Sequence, residues 1–75
     1  MERYLNRKGD SEVVAYQIGK ESIVVQFQGG ATFRYDYNIP GRIEVETMKA
    51  LAKAGRGLST FISTDIQEKY AEKLR

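Results

Sequence analysis

The sequence describes a small α+β domain, a three-stranded antiparallel meander followed by two helical segments packed on one sheet face. Two observations carry this expectation. Over residues 22–39 apolar and polar positions alternate, with Ile23, Val25 and Phe27 at every second place, and Phe33, Tyr35, Tyr37 and Ile39 likewise. Successive side chains of a strand point to opposite faces, so the pattern predicts strands with one buried face. Beyond Pro40 the period changes: Val45, Met48, Leu51 and Ala52 recur at three- and four-residue steps, the mark of an amphipathic helix.

The elements follow in order. Residues 1–10 mix charges with isolated Tyr4 and Leu5 and read as a flexible leader on which Tyr4 could dock. The single domain then spans 11–75. The first strand is expected at 12–18, with Val14, Tyr16 and Ile18 on its inner face. A turn at Gly19-Lys20-Glu21 leads to a second strand at 22–28. Gly29-Gly30 supplies the positive φ angles of a hairpin turn, and a third strand covers 32–38. Pro40 cannot donate to a ladder but suits the first turn of a helix, which runs to Ala54 and stops at Gly55-Arg56-Gly57. A second apolar stripe follows through Leu58, Phe61, Ile62, Ile66, Tyr70 and Leu74. Thr64 with Gln67 has capping-box spacing, so this stretch is either one helix or two broken near Ser63.

Composition removes several classes of chemistry. With no Cys and no His there are no disulfides, no thiol chemistry, no Cys/His zinc site and no histidine catalyst. No apolar run reaches a membrane span and no signal-peptide pattern opens the chain, so a soluble cytoplasmic protein without membrane contact is expected. The formal net charge is +2, from 12 basic and 10 acidic residues. Arg3, Arg7, Lys8, Lys20 and Arg34 balance Glu2, Asp10, Glu12, Glu21 and Asp36, so the excess lies in residues 42–75.

Three surfaces could carry function. In the junction Gly55-Arg56-Gly57-Leu58-Ser59-Thr60, glycines allow close backbone approach, Ser59 and Thr60 offer hydroxyls, and Arg56 offers a fork for phosphate. The same residues are what a tight helix–helix connection needs. Lys49, Lys53 and Arg56 share a helical face by spacing and could neutralise phosphates, or could simply be a solvated face near a helix C-terminus. The outer sheet face carries Thr32, Arg34, Asp36 and Asn38, but the aromatics Phe33, Tyr35 and Tyr37 alternate onto the core side, which argues against base stacking. Arg34 and Asp36 then form a neutralising pair. No cofactor or metal site is expected, and no acid–base pair stands out among Asp36, Glu44, Glu46 and Asp65. Ser59 beside Lys53 or Lys69 is the remaining nucleophile combination.

The run Val24-Val25-Gln26-Phe27, then Phe33-x-Tyr35, Ile39-Pro40, an Ala-rich helix and Gly55-x-Gly57-Leu58-x-Thr60-Phe61-Ile62 resembles the KTSC domain family over about residues 11–70. Members of that family are short stand-alone bacterial and phage proteins, or C-terminal appendages of some lysyl-tRNA synthetases, with no established activity. The resemblance implies RNA contact by analogy alone. Two positions depart from the family pattern: Lys53 stands where a Ser is frequent, and Ser59 where the turn often has Asn. The expected function is a small non-catalytic binding domain contacting RNA through Lys49, Lys53, Arg56, Gly55, Gly57, Ser59 and Thr60. The alternative is a protein-interaction module that pairs through an exposed strand edge or with a second copy.

Overall fold

The computed structural model describes residues 1–75 and contains a five-stranded antiparallel sheet in simple sequential order. Its strands are β1 (Glu2–Arg3), β2 (Val13–Ile18), β3 (Ser22–Phe27), β4 (Thr32–Asp36) and β5 (Glu72–Lys73). Between β4 and β5 lie helix α1 (Arg42–Ala54), the short helix α2 (Leu58–Phe61) and a π-helical turn over Ile62–Ile66. The predicted meander is therefore present, with one more strand on each side than alternation reveals.

Both added strands cover edges that a bare meander would leave open. β1 pairs with β2, setting Glu2 against Tyr16 and Arg3 against Ala15, and Tyr4 N–H continues the ladder to the Val14 carbonyl. At the other side Ala71 N–H donates to the Arg34 carbonyl and Leu74 N–H to that of Thr32. The Arg34 guanidinium also binds Glu72 at 3.0 Å, tying β5 to β4. Only two-residue strands remain at the edges, a common protection against further strand addition.

The leader expected over residues 1–10 is tied into the domain by β1 and by Tyr4, which is 3% exposed. A second correction falls on β2. Val13 pairs with Phe27 and Ala15 with Gln26, so Val14 is the extra residue of a β-bulge. The bulge turns Val13 into the core and leaves Val14 outside, reversing the face that strict alternation assigns.

The core takes Ile23, Val25 and Tyr35 from the sheet, Val45, Met48 and Ala52 from α1, and Leu58, Ile62 and Ile66 from the segment after the junction. Each large aliphatic side chain fully removed from water contributes about 1.5–3 kcal/mol, which explains why both helical stripes lie on one sheet face. α1 starts at Arg42, with Gly41 as N-cap, rather than at Pro40. The second stripe does not continue as a helix through Leu74. It ends at Ile66, Gln67 has a φ of 56°, and the chain returns to the sheet. Tyr70 still packs inward, against Phe33 at 4.7 Å between ring centroids. The capping-box reading of Thr64 and Gln67 fails as well, because the Thr64 hydroxyl donates to the Thr60 carbonyl inside a continuing turn.

Burial raises the Tyr35 phenol from its ordinary 10.0 to about 12. A raised pKa in the folded state means stability present below pH 10 and lost as the pH rises from there toward 12. A denaturant midpoint series across that window is expected to fall steadily, and in a Tyr35→Phe variant this part of the decline is expected to disappear.

Candidate functional site

Gly55 ends α1 in the left-handed region, φ 74°, and its N–H caps the carbonyls of Leu51 and Ala52. It is also buried, and a Cβ there would lie 2.7 Å from Cβ of Leu5. Gly55 is thus a close-packing point as well as part of the cleft lining. Gly57 is left-handed too, φ 80°, and opens α2. The N-terminal segment grips this junction from the side. Arg7 N–H donates to the Gly55 carbonyl at 2.7 Å, Arg7 Nε to the Ala54 carbonyl at 2.9 Å, and Leu58 N–H donates to the Tyr4 hydroxyl at 3.3 Å. The last of these occupies one of the free N–H groups on which a phosphate cradle at α2 would depend.

The loop that leaves this grip is built by its own polar groups. Asn6, at φ 53°, accepts Gly9 N–H on its carbonyl and Ser11 N–H on its side-chain oxygen, and the Ser11 hydroxyl accepts Val13 N–H. These bonds fix Lys8 and Asp10 opposite the junction. Between loop and junction lies a polar cleft of about 90 Å³, reached by Lys8, Asp10, Arg56, Gly57, Ser59 and Thr60.

The cleft lining takes in Gly55, Arg56, Gly57, Ser59 and Thr60 of the residues singled out in the sequence. Lys53 is exposed in the last turn of α1 but borders a separate depression with Glu2, Tyr16 and Gln17. Lys49 departs furthest from expectation. It is buried, its ammonium pairs with Glu46 at 2.9 Å, donates to the Lys20 carbonyl at 3.0 Å and sits 5.8 Å from the Tyr37 ring centre. Four-residue spacing to Lys53 puts both stems on neighbouring parts of the helix, but β3–β4 packing takes Lys49 inward and satisfies its charge there.

Arg7 and Lys8 are the cations that sequence reasoning misses. They lie in a charge-balanced segment, and only the fold shows that this segment returns to the end of α1. Arg7, Lys8, Lys53 and Arg56 are all exposed and none forms an ion pair, since the three salt bridges of the chain involve Arg34 and Lys49 alone. Cations near the carbonyl end of a helix are electrostatically favoured, which lets them gather without acidic partners.

Two of the four carboxylates weighed for acid–base work, Asp36 and Glu46, are otherwise employed. Asp36 accepts the N–H groups of Ile39 and Asn38 and pairs with Arg34 at 2.8 Å, and these hold its carboxyl below the usual range. The Tyr37 hydroxyl, 2.6 Å away, and then Lys49 lower that of Glu46. Phe33, Tyr35 and Tyr37 serve packing or this network, so the outer sheet face presents no stacking platform. No three metal-binding side chains cluster, and no helix is long and apolar enough to cross a membrane. No protein-family model, curated protein or solved structure matches the chain, and the KTSC likeness rests on the motifs alone.

Because its ammonium is tied to Glu46 and Lys20, Lys49→Ala is expected to lower unfolding stability by about 1.5–3 kcal/mol, the usual range for hydrogen bonds to charged groups. Chemical denaturation monitored by circular dichroism measures this directly.

Proposed function

We propose that this chain is a small non-catalytic domain that binds RNA through its phosphates, at the end of the molecule formed by the loop over 6–11 and the Gly55-x-Gly57 junction. The observation that carries this reading is that Lys8 and Arg56, exposed cations without carboxylate partners from two distant parts of the chain, line one cleft, with Arg7 bound to the Ala54 carbonyl and Lys53 in the last turn of the same helix. Neutralising phosphates is what such a group does best, and backbone contacts of this kind position a nucleic acid without reading its bases. Ser59 and Thr60 add hydroxyl donors on the same rim. The resemblance to a family that includes appendages of a tRNA enzyme points the same way. A module that pairs through strand edges has less support, since β1 and β5 cover the long strands.

Among the cations the set differs from the sequence expectation in two residues gained and one lost: Arg7 and Lys8 enter, and Lys49 leaves. Four phosphates neutralised on a single strand give a slope of about −3 in log affinity against log salt. Fluorescence anisotropy with labelled mixed-sequence single-stranded RNA is therefore expected to lose roughly 50-fold in affinity between about 50 and 200 mM salt. Lys53→Glu with Arg56→Glu is expected to abolish binding while leaving the thermal transition in place, and Lys49→Ala to leave the binding unchanged. Binding that survived the double reversal, or ignored salt, would contradict the assignment.

A further inference from the structure

The cleft between the 6–11 loop and the junction holds more than positive charge. At its floor Tyr4 is 3% exposed, and its hydroxyl accepts the Leu58 N–H while its own proton has no acceptor in the chain. The Asn6 side chain spends its oxygen on Ser11 N–H, which leaves its amide hydrogens free. The hydroxyls of Ser59 and Thr60 likewise have no partner. With Lys8 and Arg56 above them, these groups form a wall of donors suited to phosphate oxygens.

One group does not fit a site for phosphate alone. Asp10 lines the same cleft, yet it pairs with neither Lys8 nor Arg56 and accepts no hydrogen bond. An ionised carboxylate can only accept, and beside a bound anion it repels. It gains a role only if the ligand carries a donor next to its phosphate. A ribonucleotide carries such a donor, the 2′-hydroxyl, and a deoxyribonucleotide lacks it. The cleft, at about 90 Å³, suits a phosphate with its neighbouring sugar hydroxyl rather than a base.

Building on the RNA-binding reading, we infer that this cleft holds one sugar–phosphate unit, with phosphate oxygens on Lys8, Arg56 and the Tyr4 hydroxyl, and with Asp10 accepting from the 2′-hydroxyl. Asp10 is then the residue that separates RNA from DNA. It does so by two effects of the same sign, a hydrogen bond gained with RNA and an uncompensated repulsion with DNA. The selection is for the sugar, independent of base sequence.

Three probes of one sequence test this: single-stranded RNA, the uracil-containing DNA equivalent, and 2′-O-methyl RNA, which keeps the ribose but loses the donor. The unmodified protein is expected to bind RNA about tenfold more tightly than either of the others, the scale of one charge-assisted hydrogen bond. In Asp10→Ala the preference should fall close to one, with DNA binding strengthened. Asp10 is exposed and bonded to nothing, so an unchanged melting curve is expected to accompany that loss. Equal, salt-sensitive binding of all three probes by the unmodified protein would overturn the inference and leave phosphate binding standing. A preference that survives Asp10→Ala would also overturn it. Absence of binding to any probe would overturn both this inference and the function on which it rests.

Discussion

The organisation of this molecule depends on the closure of its first eleven residues onto the end of α1. The closure needs a residue without a side chain at Gly55, because the chain there is left-handed and Leu5 lies against it. It also needs Tyr4 to fill the core beside the junction and to receive the Leu58 N–H. Once Leu5 and Tyr4 are seated, Arg7 reaches the carbonyls of Ala54 and Gly55 that the helix leaves free. One short segment thus caps a helix, supplies an edge strand and forms one wall of the polar cleft that Lys8 and Arg56 share.

The distribution of charge follows from this closure. Arg34 on the sheet is neutralised by Asp36 and Glu72, and Lys49 beneath the sheet's rim by Glu46. Those contacts serve the fold: the Arg34–Glu72 pair joins β5 to β4, and the Lys49 ammonium, paired within α1, also donates to the Lys20 carbonyl in the turn before β3. Arg7 and Lys53 sit at the carbonyl end of α1 instead, and Lys8 and Arg56 line the cleft beside it. Such an arrangement stabilises the cations weakly and leaves them available, which suits a surface that exchanges solvent counterions for phosphates.

Much of the fold could be read from residue order because it is local. Alternation defined β3 and β4, the change of period at Pro40 located α1, and Gly55 marked its end. What escaped was non-local or too short to have a period. β1 and β5 are two residues each, and their pairing partners lie elsewhere in the chain. The bulge at Val14 shifts the face of one strand by a single residue, which alternation cannot register. Half of the candidate site was visible for the same reason: Arg56, Gly57, Ser59 and Thr60 are neighbours in sequence. Lys8 and Asp10 join them only through the closure, and Lys49 leaves because burial is set by the sheet it packs on, not by helical spacing.

On the proposed reading, two distant segments form one phosphate-binding surface. An amide NMR titration of the labelled protein with single-stranded RNA, repeated at low and moderate salt, tests it most directly. Amides of residues 6–11 and 53–60 are expected to shift together, along one binding curve, and both sets to fade as salt rises. Shifts confined to one segment, centred on the sheet, or indifferent to salt would contradict it.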